Sequence, residues 1–189
     1  MSGYVITYFP LRGRAEVIRM LLADQGASWT EEEVQTADWF GGESDLKQQA
    51  VFGQLPQFKD GDFVLYQSNS ILRYLGRKYG ISGGSNQESA LIDMVNDGVE
   101  DLRVKYIRFV FFEFETGKEK YESELAKHLS AFERILSQNC NGTKYVVGDK
   151  VMTTKVKYKR FCKNSPIGIV RRGWQSGPGL PTSCKATVY

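Results

Sequence analysis

Cysteine is scarce in this chain, and the few copies come late. Only three of the 189 residues are cysteines, at Cys140, Cys162 and Cys184, and none lies close to another. An odd number of widely spaced cysteines fits neither a disulfide framework nor a zinc site. Because no cysteine lies near residues 8–14, where the first strand pattern ends, thiol-transferase chemistry at that place is disfavoured.

Long apolar runs are also missing. Residues 1–14 contain no apolar core of signal-peptide length, and no segment is long and apolar enough to cross a bilayer. We therefore expect a reduced, cytoplasmic protein that makes no membrane contact.

Acidic residues are absent from residues 151–189, which contain eight Lys and Arg, whereas residues 1–150 carry a net charge of −5. This asymmetry can indicate a nucleic-acid-binding arm, or a tail that was not selected together with the body. Tyr158, Phe161 and Trp174 lie among the basic residues and could stack on bases. The acidic body and the lack of a recognised nucleic-acid motif disfavour such a partner.

The first 80 residues alternate between strand and helix patterns. Ser68 can cap the last helix, and Asp60-Gly61 between two short apolar runs is a strong hairpin signal. The order is a βαβ unit, an antiparallel pair and a covering helix, which predicts an α/β thioredoxin-like domain over residues 1–80. The patterns predict strands over 5–8, 29–34, 55–58 and 63–66, helices over 14–25 and 70–79, and irregular chain over 36–50.

A polar linker at 81–87 separates this domain from a purely helical pattern. Apolar residues recur at three and four up to about Phe114, Thr116-Gly117 interrupts them, and a second helix pattern covers 120–137. Two helices form a hairpin and not a closed core, so residues 88–150 read as a partial, truncated all-α domain. Residues 151–189 keep no pattern and are predicted to be a divergent, disordered basic tail.

Five short blocks of the sequence stand out: Tyr8–Arg14 (YFPLRGR), Leu21–Gly26 (LLADQG), Gly53–Pro56 (GQLP), Leu65–Asn69 (LYQSN) and Asp93–Arg103 (DMVNDGVEDLR). In order and spacing these blocks resemble the pi-class glutathione S-transferases, over residues 1–150. The resemblance implies a homodimeric detoxification enzyme that conjugates reduced glutathione, its co-substrate, with small hydrophobic electrophiles. It implies no further cofactor and no metal.

Such an enzyme has to supply a thiolate, because a thiol with a pKa of about 8.5 is mostly protonated at neutral pH. A hydroxyl that donates a hydrogen bond to the sulfur favours the anion. Tyr8 ends the first strand and matches the family's tyrosine in this role, so the resemblance makes it the catalytic residue. Without the resemblance, a tyrosine at the end of a strand would be read as core packing.

The resemblance also assigns two backbone features of the glutathione site. Ser68 and Gln67 match the helix start that holds the γ-glutamyl carboxylate, where anions are favoured. Leu55 matches the residue whose backbone pairs with the cysteinyl unit, ahead of a cis Pro56. The alternative interpretations are a simple helix cap at Ser68 and an ordinary trans proline at Pro56.

Five further side chains match glutathione-binding positions. Trp39, Lys47 and Gln54 match those around the glycyl carboxylate, and Arg14 matches a residue near the thiol. Asp101 matches the acid that the neighbouring subunit supplies to the glutathione amine. Taken alone, Trp39 would be a core anchor, and Lys47 and Asp101 would be solvated charges.

The remaining matches concern the electrophile and the dimer. Phe9, Leu11, Ile107 and Phe111 would line an apolar pocket beside the sulfur. Phe52 matches an aromatic residue that inserts into the partner subunit, although it could equally pack in its own domain.

Three positions and the C-terminus depart from the family. Phe111 stands where tyrosine is usual, and Ala50 and Val104 replace the family's reactive cysteines, so thiol-based redox switching is not implied. After Lys150 the capped apolar helix of the family is missing, as a shifted reading frame or an alternative exon would produce. Exposed helix faces would forfeit about 1.5–3 kcal/mol per apolar side chain. The alternative function is therefore a catalytically impaired variant that only binds glutathione or dimerises.

Overall fold

The structure is a computed structural model that describes residues 3–41, 45–143 and 145–148. These residues divide into two compact units, one ending at Ile92 and the other beginning at Asp93. The predicted disorder of 151–189 lies outside the described residues. Among the helices of the described ranges, none has the length and apolar character needed to cross a bilayer.

A four-stranded mixed sheet forms the centre of the first unit. β1 pairs in parallel with β2 and antiparallel with β3, and β3 pairs antiparallel with β4. The parallel pair requires a crossover connection, and the first helix supplies it. This confirms the predicted thioredoxin-like arrangement. The strands are β1 (Tyr4–Tyr8), β2 (Trp29–Glu33), β3 (Gln57–Asp60) and β4 (Phe63–Tyr66), in the spatial order β2-β1-β3-β4.

Two helices bury their apolar stripes against this sheet. They are α1 (Glu16–Asp24), which follows a 3-10 turn over Gly13–Ala15, and α4 (Ser68–Lys78). The apolar residues of both helices recur at spacings of three and four, which places them on one face. The core consists chiefly of Ile6 and Phe58 from the sheet, Ile18, Leu21 and Leu22 from α1, and Ile71, Leu72 and Leu75 from α4.

The irregular chain predicted over 36–50 is wrong. The described part of this stretch forms two helices, α2 (Thr36–Phe40) and α3 (Asp45–Gln49). Each has five residues, which is too short for a helical period to be visible in the sequence.

The predicted N-cap at Ser68 is also wrong. α4 begins at Ser68 itself, and the capping position is held by Gln67, which makes no side-chain cap hydrogen bond. Gln67 has a φ of 70°, so the chain changes direction sharply there. β3 likewise begins two residues later than expected, at Gln57.

The second unit contains most of α5 (Asn86–Phe112) together with α6 (Phe114–Gln138) and a 3-10 turn over Cys140–Gly142. Its buried cluster consists of Val95, Leu136 and Val146. The helical domain is therefore confirmed.

The break between α5 and α6 was predicted at Thr116-Gly117 but lies at Glu113, which has a φ of −127°. Gly117 lies inside α6, and its N–H donates a 2.7 Å hydrogen bond to Glu113 O. A helical glycine costs only about 1 kcal/mol, and the stacking of Phe109 on Tyr121, 4.5 Å between ring centroids, favours helix on both sides.

A polar network ties the β3–β4 hairpin to α4. The Asp60 carboxylate accepts a 2.6 Å hydrogen bond from the Tyr74 hydroxyl and a further one from the Lys78 ammonium. Lys78 Nζ also lies 4.9 Å from the centre of the Tyr4 ring. Burial raises the pKa of Asp60, but the hydrogen bonds from Lys78 and Tyr74 outweigh it, so the pKa is lowered.

We expect Asp60→Asn to reduce the free energy of unfolding at neutral pH by about 1 kcal/mol, because it weakens charge-assisted hydrogen bonds. A carboxyl whose pKa is lowered by folding adds stability above its unfolded pKa of about 4 and loses it as the pH falls through the folded value. Urea unfolding between neutral and acidic pH should therefore show a weaker acid dependence in the variant. Asp62→Asn, an exposed change in the same hairpin, is the control. Equal acid dependence in Asp60→Asn and the unmodified chain would contradict the assignment.

Candidate active site

Four segments converge at one end of the sheet. β1 ends at Tyr8, which is opposite Glu33 at the end of the parallel strand β2. The antiparallel strand β3 starts at that end, because Gln57 pairs with Thr7, and β4 finishes there, because Tyr66 pairs with Gln57. The register therefore brings together the segments that follow Tyr8 and Glu33, precede Gln57 and follow Tyr66.

Tyr8 lies at the centre of this end. Only 7% of its surface is exposed. Its hydroxyl oxygen accepts a 3.0 Å hydrogen bond from the backbone N–H of Arg14. A hydroxyl has one proton and two lone pairs, so Tyr8 can still donate its own proton to another acceptor. Its backbone carbonyl accepts a 2.9 Å hydrogen bond from Val34, which holds the strand end in place.

Arg19 on α1 fixes the loop after Tyr8 by hydrogen bonds to its backbone carbonyls. The guanidinium donates 3.3 Å hydrogen bonds to the carbonyls of Leu11 and Arg12. It also donates to both carboxylate oxygens of Glu31, at 2.8 and 3.0 Å. The Glu31 hydrogen bonds raise the pKa of Arg19, which is therefore a permanent cation at this loop.

A cis peptide bond joins Leu55 to Pro56 just before β3. Pro56 is fully buried, and Leu55 is half-buried. Beside them, the side-chain amide of Gln67 donates a 3.0 Å hydrogen bond to Gln54 Oε1. The turn before β3 and the start of α4 are therefore linked by these two predicted side chains.

The N-terminus of α4 opens at the same end. Ser68 is its first residue and is 3% exposed. The first N–H groups of a helix have no partner within the helix and carry a partial positive charge. A carboxylate placed there would gain both hydrogen bonds and favourable electrostatics.

α2 and α3 carry two further predicted residues. Trp39 is 3% exposed and packs edge-on against Phe9, with 5.8 Å between ring centroids. Lys47 is half-buried, and its ammonium lies 5.6 Å from the centre of the Phe40 ring. Trp39 thus anchors α2 to the segment that follows Tyr8, while Lys47 supplies a cation beside it.

The other predicted residues are exposed on the first unit or belong to the second unit. Leu11 and Phe52 are exposed, at 52% and 64%. Asp101, Ile107 and Phe111 belong to the second unit, on α5, where Asp101 and Phe111 are exposed and Ile107 is half-buried. Their roles stay predictions.

Sequence reasoning missed two features of the site. Gly13, read from the sequence as part of a strand break, closely approaches the Tyr8 hydroxyl. Gln57 is buried and accepts a 3.3 Å hydrogen bond from the Thr7 hydroxyl, while its amide donates to Tyr66. A single glycine inside a turn is a weak signal, and nothing in the sequence indicates the Gln57 contacts.

The fold and the site together define a class: a thioredoxin-like domain with a tyrosine hydroxyl, a helix N-terminus and a cis-proline turn at one end of its sheet. Comparison with known proteins agrees with this class. Sequence models described as "Glutathione S-transferase, N-terminal domain" and "Glutathione S-transferase, C-terminal domain" match residues 4–77 and 100–154.

The chain belongs to the glutathione S-transferase family, and its relatives place it in the pi class. It is 68% identical to glutathione S-transferase P 1 of Xenopus laevis over 151 residues, which cover 80% of this chain and 71% of the relative. It is 53% identical to glutathione S-transferase P of Homo sapiens, with the same coverage. A solved pi-class glutathione S-transferase from Onchocerca volvulus superposes with a TM-score of 0.75 at 40% identity, covering 80% of this chain and 72% of that one. The predicted resemblance is confirmed.

Proposed function

We propose that this chain conjugates reduced glutathione with hydrophobic electrophiles and that Tyr8 stabilises the glutathione thiolate. Family membership supports the reaction. The observation that carries the mechanism is the buried Tyr8 hydroxyl, which accepts a hydrogen bond from Arg14 N–H and so has its own proton available for donation.

The chemistry requires little more than this hydrogen bond. The thiol loses its proton to water, the thiolate attacks the electrophilic carbon, a C–S bond forms, and a leaving group departs with its electron pair. A hydrogen bond to a charged group contributes about 1.5–3 kcal/mol, which corresponds to a lowering of the thiol pKa by about one to two units. The bound thiol would then be substantially ionised at neutral pH.

The rest of glutathione would be held by groups around Tyr8. The N-terminus of α4, with Ser68 and Gln67, would bind the γ-glutamyl carboxylate, because it offers unpartnered N–H groups. The backbone of Leu55, ahead of the cis bond to Pro56, would pair with the cysteinyl unit.

Four side chains would complete the glutathione site. Trp39, Lys47 and Gln54 would hold the glycyl carboxylate, and the half-buried Lys47 ammonium supplies the countercharge. Arg14 would add a positive field near the sulfur, in the direction that favours the thiolate.

A homodimer is part of the proposal. Phe52, exposed at 64%, would insert into the partner subunit, since an exposed aromatic of this size is costly to leave in water. Asp101, also exposed, would reach the glutathione amine of the neighbouring subunit. Phe9, Leu11, Ile107 and Phe111 would line the electrophile pocket.

The proposed domains are a glutathione-binding domain over 1–80, a linker over 81–87 and a partial helical domain over 88–150, followed by the divergent tail over 151–189. We place the protein in the cytoplasm, because glutathione is the thiol buffer of reducing compartments. Among the described residues, no feature favours the alternative of an inactive glutathione-binding subunit.

Purified chain should catalyse conjugation of glutathione with a generic aryl halide. We expect Ser68→Ala to raise the KM for glutathione by about tenfold with little change in kcat, because it removes a hydrogen bond to a charged group far from the sulfur. Ser70→Ala, an exposed change in the same helix turn, should behave like the unmodified chain. A chain that binds glutathione but never accelerates conjugation would contradict the proposal.

A further inference from the structure

The backbone of Gly13 lies so close to the Tyr8 hydroxyl that no side chain fits at position 13. Its φ is +43°, and a Cβ built on it would lie 2.5 Å from Tyr8 Oη, 3.0 Å from Tyr8 Cε1 and 2.7 Å from Leu11 Cδ1. Contacts under 3.0 Å force something to move. Leu11 is 52% exposed and can swing into solvent, but the Tyr8 ring is 7% exposed and packed in the core. A methyl group at position 13 would therefore displace either the tyrosine or the turn.

The turn at Gly13 also places a hydrogen-bond donor on the Tyr8 hydroxyl. Directly after Gly13, the backbone N–H of Arg14 donates its 3.0 Å hydrogen bond to Tyr8 Oη. That bond occupies a lone pair of the hydroxyl, so its one proton has to point elsewhere. A preorganised donor is more effective than one that has to be oriented during the reaction.

We propose that Gly13 is a positioning residue for thiol activation: the missing side chain lets the turn place Arg14 N–H on the Tyr8 hydroxyl, which directs the phenolic proton to the sulfur. This inference rests on the proposed function of Tyr8. It assigns to Gly13 a role in thiol ionisation and none in holding the peptide groups of glutathione.

The test compares alanine substitutions at two glycines, Gly13 and Gly26. Both have a positive φ, but only at Gly13 would a Cβ contact other atoms. Gly26 has a φ of +64°, yet a Cβ on it would meet no heavy atom within 4 Å. Gly13→Ala and Gly26→Ala therefore introduce similar strain, and only the first crowds Tyr8. The readouts on the full chain are the ionisation of bound glutathione, followed by thiolate ultraviolet absorbance against pH, and the kinetics of conjugation.

We expect Gly13→Ala to raise the ionisation midpoint of the bound thiol by about one pH unit and to lower kcat/KM about tenfold at neutral pH, with recovery at higher pH. Glutathione affinity, measured by calorimetry where the thiol is protonated, should change little. Gly26→Ala should leave the midpoint and kcat/KM unchanged. An unshifted midpoint in Gly13→Ala, or an equal shift in Gly26→Ala, would overturn the proposal.

A second pair of variants tests the role of the Arg14 N–H directly, even if Gly13→Ala does not fold. Arg14→Pro and Arg14→Ala both lose the guanidinium, but only proline also loses the N–H, and its φ of about −65° fits a 3-10 turn. The midpoint should be higher in Arg14→Pro than in Arg14→Ala by about one pH unit. Equal midpoints would overturn the proposal.

Tyr8→Phe separates the two claims. If it raises the midpoint while Gly13→Ala and Arg14→Pro do not, the positioning role fails and the proposed function stands. If Tyr8→Phe leaves the midpoint unchanged, both fail together.

Discussion

Tyr8→Phe is expected to lower kcat/KM for conjugation by about 10- to 150-fold at neutral pH, because it removes a hydrogen bond of about 1.5–3 kcal/mol from the thiolate. The aromatic ring remains, so packing near Phe9 and Trp39 should be preserved. The KM for glutathione should change by much less than kcat/KM, since the hydroxyl contacts the sulfur and not the peptide. Steady-state kinetics over a range of pH measure both effects, and the deficit should shrink as the pH rises and the thiol ionises unaided.

The matched control for this experiment is Tyr4→Phe. Tyr4 lies at the end of β1 opposite to Tyr8. Its hydroxyl accepts a 2.9 Å hydrogen bond from the hydroxyl of Tyr79. Its removal should cost some stability and leave kcat/KM unchanged. Wild-type kcat/KM in Tyr8→Phe at every pH would show that another group activates the thiol.

Phe58→Ala is expected to cost about 3–5 kcal/mol of unfolding free energy, the range for truncating a buried phenylalanine. Phe58 is completely buried on the inner strand β3, and its ring contacts Tyr4 and Tyr74 at centroid distances of 5.3 and 6.3 Å. Domain stabilities are about 5–15 kcal/mol, so this single change would remove a large part of the total. Urea unfolding followed by circular dichroism measures the loss.

Phe63→Ala serves as the control for the same side-chain truncation. Phe63 lies on the neighbouring strand β4 and is 47% exposed, so it leaves a smaller cavity and loses less buried area. Its cost should be less than half that of Phe58→Ala. Equal costs would mean that the apolar layer between the sheet and its helices is not the main source of stability.

The sequence predicted those elements of the fold that bury one continuous face. α1 and α4 have apolar residues at helical spacing, and Asp60-Gly61 marks the hairpin between β3 and β4. α2 and α3 were missed because five residues make little more than one turn.

The boundary between α5 and α6 was misplaced for a different reason. Glycine at 117 suggested a break, yet tertiary packing of Phe109 on Tyr121 carries the helix through it. The actual break at Glu113 has no breaking residue, so local propensity could not locate it.

The site depended more on resemblance than on pattern. Tyr8 and Ser68 have ordinary structural interpretations when each is considered alone. What unites them is the strand register, in which Thr7 pairs with Gln57 and Gln57 with Tyr66. The first pairing joins residues fifty positions apart, which are also linked by the Thr7–Gln57 hydrogen bond, and no local sequence signal specifies it.

The most direct measurement is the ionisation of the glutathione thiol bound to the full chain, followed by thiolate absorbance against pH. We expect the midpoint to lie about one to two pH units below that of free glutathione. In Tyr8→Phe it should move back towards the value of the free thiol. A midpoint equal to that of free glutathione, or one that Tyr8→Phe does not move, would contradict the claim that Tyr8 activates the thiol.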